Sequence, residues 1–153
     1  MMTLSSSAFQ HDAVIPEKYG RDFENINPPL MISDVSPNAR SLTLIMEDPD
    51  IPVSVGVPVW DHWVVFNVSP TASVIPERWI VDGVRGKNSR GELEYGGPRP
   101  PDREHRYFFK VYAFDCLLQL DEGATKDEVL QKMGGHVIEI AELVGRFAPR
   151  EAA

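Results

Sequence analysis

The sequence predicts a mainly β fold, an antiparallel β-sandwich with two short helices near its C-terminal end. Thirteen prolines and eleven glycines among 153 residues favour short strands and many turns over long helices. Three segments, 41–48, 62–69 and 105–115, have the apolar content of strands. Large apolar side chains occupy both faces of the third segment, so we expect that strand to be covered on both sides.

Polar residues stand at one end of the apolar face of each predicted strand. Strict alternation assigns to these faces Leu42, Leu44 and Met46 in the first strand, Val64, Phe66 and Val68 in the second, and Phe109, Val111 and Ala113 in the third. Asp48 ends the first face and His62 begins the second. His105 and Tyr107 begin the third. If the first two strands pair antiparallel and the third runs in the direction of the second, these four side chains meet at one edge, as polar groups do in a ligand pocket.

Two helices are predicted after the third strand. The segment "TKDEVLQKM" begins with Thr125 and carries Glu128 three residues later, which is the pattern of a capping box. The segment "GGHVIEIAELVGRF" has apolar residues at helical spacing, namely Val137, Ile140, Ala141 and Val144.

Length and charge indicate a single domain and exclude some partners. Residues 1–20 are polar, so we expect a poorly ordered N-terminal segment followed by one domain over 21–153. The net charge of -8 argues against non-specific binding to nucleic acid or to an anionic membrane surface. No apolar run approaches the roughly 20 residues that span a bilayer, which argues against integral membrane association.

The N-terminal residues and the cysteine content favour a cytoplasmic location. The start "MMTLSSSAFQHD" lacks the basic and apolar regions of a signal peptide. Cys116 is the one cysteine and cannot form an internal disulfide, which suits a reducing compartment. Since Cys116 follows an apolar strand, we expect a buried, inert thiol rather than a nucleophile.

The chemistry of the predicted pocket is anion capture. Imidazole and phenol groups can donate hydrogen bonds, and Asp48 can orient an imidazole and favour its protonation. The backbone N–H groups of Gly96 and Gly97, in "YGGPRPP", are further candidate donors. The alternative interpretation is that each histidine is a satisfied structural residue and that Tyr107 belongs to the core.

Catalytic and metal sites are less favoured by the sequence. Ser89 lies in "GKNSRG", which is not a nucleophile elbow, so a hydrolase is a minor alternative. A metal site made of Asp48, Asp50, His62 and His105 would lack close ligand spacing. Neither a P-loop nor a dinucleotide-binding glycine motif occurs, so we predict no cofactor.

Four segments carry a resemblance to a known family. In order, "SLTLIMEDPDIP", "DHWVVFN", "GKNSRGELEYGGPRPP" and "HRYFFKVYAFD" closely resemble the phosphatidylethanolamine-binding protein family, also called the Raf kinase inhibitor protein family, and in particular its bacterial and archaeal branch. The resemblance runs from about Asn25 to Phe147. It implies a β-sandwich with a small pocket at one end that binds phosphate-type headgroups without catalysis. The ligand-binding residues that it implies are Asp48, Pro52, Trp60, His62, Pro101, His105 and Tyr107.

The same resemblance allows a second function and a partner. Some relatives are described as inhibitors, so the exposed loops "DIPVSVGVPVW" and "VRGKNSRGELE" could contact a kinase or a serine protease. Prokaryotic relatives make a homodimer plausible. Three arginines lie near the predicted pocket: Arg99 could attract an anionic ligand, Arg103 is expected to be a solvated loop charge, and Arg106 is expected to point away.

Overall fold

Two antiparallel sheets make up most of this computed structural model, which describes residues 1–150. The elements are β1 (Thr3–Ser5), β2 (Leu30–Ser33), β3 (Ser41–Asp48), β4 (Trp60–Val68), β5 (Val74–Ile75), β6 (Val84–Arg85), β7 (His105–Phe114), helix α1 (Lys126–Met133) and β8 (Val137–Phe147). The smaller sheet has the order β1-β2-β5, and the larger has the order β6-β4-β3-β7-β8. The predicted mainly β architecture is confirmed. The last three residues of the predicted domain 21–153 lie outside the described residues.

The larger sheet is buried on both faces because two different layers cover it. Strand β3, at its centre, is buried along all eight residues. The inner face packs with the smaller sheet in the main core, which includes the predicted face of β3. The outer face carries a second apolar cluster beneath helix α1, formed by Val64, Phe66, Phe114, Leu118, Ala124, Val129 and Met133.

A β-bulge in strand β4 corrects the predicted alternation of that strand. Met46 pairs with Trp63 and Glu47 pairs with Asp61, so His62 is an extra residue in the ladder. Strict alternation would keep His62 on the face of Val64 and Phe66, which lies beneath helix α1. Instead its ring lies 5.2 Å from that of Tyr107, on the inner side of the sheet.

The second predicted helix is wrong, because Val137–Phe147 is the long edge strand β8. It pairs along its whole length with β7, from Val137 opposite Phe114 to Phe147 opposite His105. The helical spacing of its apolar residues also fits a strand in which alternate residues from 141 to 147 are buried. Several β-branched residues and an internal glycine further disfavour a helix here.

Helix α1 is confirmed at the predicted capping box. The Thr125 hydroxyl accepts a hydrogen bond from the Glu128 N–H at 3.2 Å, and the Glu128 carboxylate accepts one from the Thr125 N–H at 3.1 Å. Lys126 attaches this helix to the sheet, since its Nζ lies 2.7 Å from carboxylate oxygens of both Glu47 and Asp61. Among residues 1–150, no helix has the length and apolar content needed to cross a membrane.

The first 20 residues differ from the poorly ordered segment that their polarity suggests. They contribute strand β1 and the buried side chains Met2, Leu4, Phe9, Ile15 and Tyr19. Backbone N–H groups of Asp12 and Ile15 also donate to carbonyl groups of β8, at 2.7 and 2.8 Å. The apolar residues are too irregularly spaced to give a periodic signal, and the β8 carbonyl groups that accept from this segment lie more than 100 residues along the chain.

Candidate ligand-binding site

A cavity of about 200 Å³ opens at the end of the larger sheet where β3 finishes and β4 and β7 begin. All seven predicted site residues line it: Asp48, Pro52, Trp60, His62, Pro101, His105 and Tyr107. Asp48 pairs with Trp60 across the β3–β4 ladder, and β7 is antiparallel to β3. The predicted strand directions are therefore confirmed, and they explain why these side chains converge.

His105 lies between two carboxylates at the inner end of the cavity. Its Nδ1 is 2.6 Å from Asp48 Oδ2, and its Nε2 is 2.6 Å from Asp102 Oδ1. A carboxylate only accepts, so both contacts are satisfied when the imidazole carries both N–H groups. The residue is fully buried. Neither nitrogen is available to a ligand, in contrast to the expected donor role of His105.

Asp48 forms the acidic part of the cavity floor. Besides His105, it accepts a hydrogen bond from the Asp50 N–H at 2.7 Å. Burial raises the pKa of the Asp48 carboxyl above its ordinary value, and the His105 hydrogen bond opposes that rise. Asp48 therefore orients an imidazole as predicted, and the imidazole that it orients is that of His105.

His62 offers a hydrogen-bond acceptor to the cavity. Its Nδ1 lies 2.8 Å from the carbonyl oxygen of Gly96, so Nδ1 carries the proton. Burial lowers the pKa of His62 to about 4, which leaves the ring neutral near pH 7. The other nitrogen, Nε2, is then an acceptor, and it has no protein partner among residues 1–150. This result differs from the predicted donor role.

The glycine backbone does not provide the predicted free donors. The Gly96 N–H donates to the His62 carbonyl at 3.0 Å, and the Gly97 N–H donates to Asn25 Oδ1 at 2.7 Å. A side chain at Gly97 would collide with the carbonyl oxygen of Tyr19. These residues therefore shape the cavity wall, and their amide groups are already engaged.

The donors that face the cavity are a phenol and guanidinium groups. Burial raises the pKa of Tyr107, so its hydroxyl stays protonated. Arg21, Arg90 and Arg99 line the cavity. Arg21 and Arg90 contact the carboxylate of Glu92 at 3.3 and 3.7 Å, and Arg99 contacts that of Asp22 at 3.3 Å. These long contacts are longer than good charge-assisted hydrogen bonds, so the guanidinium groups can also contact a ligand.

Asp102 is the main residue of the site that the sequence analysis does not identify. Besides His105, it has Arg103 nearby at 3.9 Å. The only signal in the sequence is its position three residues before His105. Although burial opposes the effect, the hydrogen bond from His105 lowers the pKa of Asp102.

Arg106 points away from the cavity, as alternation predicts, and binds Asp50. Its Nη2 and Nε lie 2.8 and 2.9 Å from the two carboxylate oxygens, and its backbone N–H donates at 2.9 Å. These hydrogen bonds lower the pKa of Asp50 to about 2, although burial opposes them. The pair fixes the loop that follows Asp48.

Replacing Asp50 with asparagine removes the ion pair with Arg106 and is expected to lower the free energy of unfolding by about 1 kcal/mol at pH 7. The loss is small because solvent screens the half-exposed Arg106. The folded-state pKa of Asp50 is below its ordinary value of 3.8. The stabilisation is therefore present above that value and is lost as the pH falls toward 2. Urea denaturation of both proteins at pH 7 and pH 3 measures it. A difference that does not shrink at pH 3 would contradict this role of the pair.

Comparison with known proteins assigns the family. The family model described as phosphatidylethanolamine-binding protein matches residues 5–148. A UPF0098 protein of Chlamydia trachomatis is 46% identical over 147 residues, with 95% of this chain and 98% of the relative covered. A UPF0098 protein of Methanothermobacter thermautotrophicus is 44% identical over 152 residues, with the same coverage of both chains.

Solved structures agree with this assignment. A crystal structure of a phosphatidylethanolamine-binding protein homologue from Chlamydia trachomatis matches with a TM-score of 0.93 and 45% identity, covering 99% of this chain and 98% of that one. Escherichia coli YbcL, described as a member of the mammalian PEBP family, has the same fold with a TM-score of 0.87 at 24% identity, covering 97% and 99%. This chain belongs to the phosphatidylethanolamine-binding protein family.

Proposed function

We propose that the protein is a non-enzymatic binding protein whose cavity takes a small phosphate-type anion, such as a phosphorylated headgroup, through a protonated oxygen of that anion. Family membership supports a binding role. The choice of ligand class rests on one observation: hydrogen-bond acceptors at the cavity floor and guanidinium groups in its lining face the same cavity.

The acceptors at the floor decide which form of the anion binds. Asp48 and Nε2 of neutral His62 both accept hydrogen bonds, so a fully ionised oxygen facing them would be repelled or left unpaired. A phosphomonoester carries one remaining proton below a pKa of about 6. That P–O–H group can donate to the floor while its charged oxygens contact the arginines and Tyr107.

The size of the cavity favours a headgroup over a whole lipid. Its volume of about 200 Å³ is smaller than the ~300–1,000 Å³ of a typical small-molecule site. Proline and tryptophan side chains, namely Pro52, Pro100, Pro101 and Trp60, supply apolar walls. An acyl chain would have to lie outside this volume.

The hydrogen bonding of the histidines supports the non-enzymatic part of the proposal. His105 has both nitrogens engaged by carboxylates, and His62 donates Nδ1–H to a backbone carbonyl, so no serine is activated by a histidine–carboxylate pair in this cavity. The Ser89 hydroxyl instead accepts a hydrogen bond from the Asp61 N–H at 2.7 Å. Turnover of a panel of phosphoesters or acyl esters would contradict this part of the proposal.

The binding test compares two tetrahedral anions, of which phosphoethanolamine can carry a proton on its phosphate group at pH 5.5 and sulfate carries none. Phosphoethanolamine and inorganic sulfate are titrated into isotopically labelled protein at pH 5.5 and pH 8, and amide shifts are followed by NMR. We expect shifts at residues 48, 62 and 107, tighter phosphoethanolamine binding at pH 5.5, and weak sulfate binding at both pH values. Equal affinity for both anions, or shifts confined to other surfaces, would refute the proposal.

Replacing His62 with leucine removes the acceptor and should weaken phosphoethanolamine binding by about tenfold at pH 5.5, which corresponds to roughly 1.4 kcal/mol for one lost hydrogen bond. The reduction should be smaller at pH 8, because the ligand has lost its proton there. His11→Leu is the matched control, since His11 does not line the cavity. Unchanged affinity in His62→Leu would exclude Nε2 as a contact.

One observation favours the alternative function as a kinase or serine protease inhibitor. Val53, Val55 and Val57, in the loop between β3 and β4, are exposed, and Val53 is 96% exposed. Apolar side chains on an exposed loop suit a protein contact. Replacing Val53 and Val57, which do not line the cavity, with serine should abolish any measured inhibition while phosphoethanolamine binding is retained. Inhibition that survives this change would exclude the loop.

A further inference from the structure

Three metal-ligating side chains cluster at the end of the larger sheet opposite to the cavity. Asp115 and Cys116 directly follow β7, and His136 directly precedes β8. The β7–β8 register pairs Phe114 with Val137 at this end and His105 with Phe147 at the cavity end. At about 3.4 Å per residue along a strand, roughly 30 Å separates the two sites.

The geometry of the cluster suits a single ion. One carboxylate oxygen, the thiol sulfur and one ring nitrogen all lie within 4.8 Å of one another. Ligands about 2.0–2.3 Å from a tetrahedral ion lie roughly 3.5 Å apart, so small rotations of exposed side chains would complete the site. Asp115 and His136 are exposed and Cys116 is half-buried, so an ion and a water molecule can reach it.

Backbone hydrogen bonds hold the three residues without using their ligand atoms. The Asp115 N–H donates to the His136 carbonyl at 3.1 Å, and the His136 N–H donates to the Met133 carbonyl at 2.8 Å. The Cys116 carbonyl accepts from the Ser41 hydroxyl at 2.6 Å. The side chains of Asp115 and His136 already contact each other at 2.8 Å. The cluster is therefore largely assembled before any ion binds.

We propose that Asp115, Cys116 and His136 form a binding site for Zn²⁺ or a similar divalent transition-metal ion that prefers thiolate and imidazole ligands. Sulfur and nitrogen donors favour such ions, whereas Mg²⁺ and Ca²⁺ prefer oxygen ligands throughout. The ion binds one thiolate, one neutral imidazole and one carboxylate, and water completes a tetrahedron. The thiol proton is released to solvent on binding.

Cys116 is the one cysteine of the chain, so thiol chemistry reports on this site alone. Full-length protein is titrated with Co²⁺, and thiolate ligation is detected as a sulfur-to-cobalt charge-transfer absorption. In parallel, Zn²⁺ is added before a thiol-reactive disulfide dye. We expect one equivalent of Co²⁺ with the charge-transfer band, and at least tenfold slower thiol labelling with Zn²⁺ present.

Variants separate a three-ligand site from binding by the thiol alone. Cys116→Ser should abolish the charge-transfer band, and His136→Gln should weaken Co²⁺ binding at least tenfold. Asp115→Asn should also weaken Co²⁺ binding, but by less than His136→Gln does. His11→Gln is the control, because His11 is an exposed histidine outside the cluster. The proposal would be overturned if Zn²⁺ left the labelling rate unchanged or if the unmodified protein gave no charge-transfer band. It would also be overturned if the His136→Gln variant bound Co²⁺ as tightly as the unmodified protein does.

Discussion

Replacing His105 with leucine is expected to lower the free energy of unfolding by about 3–5 kcal/mol near neutral pH. The imidazole is fully buried and bridges Asp48 and Asp102 at 2.6 Å on each side. Asp48 is itself only 2% exposed. Without His105, the Asp48 carboxylate would stay buried and keep only the hydrogen bond from the Asp50 N–H, and this poorly compensated charge accounts for most of the expected loss.

The loss should shrink as the pH falls. Burial already raises the pKa of Asp48, and the His105 hydrogen bond limits that rise. Removing His105 therefore raises the pKa of Asp48 further. A folded-state pKa above the unfolded value adds stability at low pH, and this stability is lost as the pH rises through the folded-state pKa. Guanidinium denaturation at pH 5 and pH 8 should give the larger difference from the unmodified protein at pH 8.

An exposed histidine–aspartate pair provides the matched control. His136 and Asp115 contact each other at 2.8 Å, but their side chains are 49% and 52% exposed. His136→Leu should cost less than about 1 kcal/mol, because solvent screens the pair. Adding Asp48→Asn to His105→Leu should recover part of the loss, since no charge is then buried. Fully additive losses in that double variant would contradict the explanation.

Replacing Lys126 with methionine should also cost about 3–5 kcal/mol. Its ammonium group lies 2.7 Å from both Glu47 and Asp61, and all three side chains are less than 20% exposed. Although burial opposes it, the hydrogen bonds that Lys126 donates to these carboxylates raise the pKa of Lys126. Methionine fills a similar volume but leaves two carboxylates with little access to solvent, and among residues 1–150 only Glu47 keeps a second cationic partner, Lys110.

Lys132→Met is the control for this change, because Lys132 lies exposed on the same helix and has no such pair among the described residues. It should change the free energy of unfolding by less than about 0.5 kcal/mol. Asp61→Asn in the Lys126→Met background should restore part of the stability. Equal effects of the two lysine changes in urea denaturation would show that Lys126 does not anchor helix α1 through its charge.

The parts of the fold that could be predicted were those with a local signal. Strands β3 and β7 have clear alternation, and Thr125 with Glu128 marks the start of helix α1. Strand β8 could not be assigned, because its apolar residues fit both a helical and an alternating pattern. The N-terminal segment was missed since its order depends on contacts with β8, which are distant in sequence.

The composition of the site was more predictable than its hydrogen bonding. Alternation and the resemblance together indicated the seven residues that line the cavity. The direction of each hydrogen bond could not be predicted, because it depends on partners outside the strands. Asp102 engages the free nitrogen of His105, and the Gly96 carbonyl determines which nitrogen of His62 carries the proton. Both contacts reverse the expectation that the histidines donate to a ligand.

The extra residue in β4 places the adjacent side chains of His62 and Trp63 on the same side of the sheet, whereas a regular strand would direct them to opposite sides. Asp61 binds Lys126 of helix α1, and the ring of His62 lies against Tyr107 on the inner side of the sheet. Deleting His62 would remove this bulge and return Asp61 and Trp63 to ordinary alternation, so the cavity would lose its imidazole even though every other site residue were kept. The lining of the cavity therefore depends on the length of strand β4 as well as on the identity of its residues.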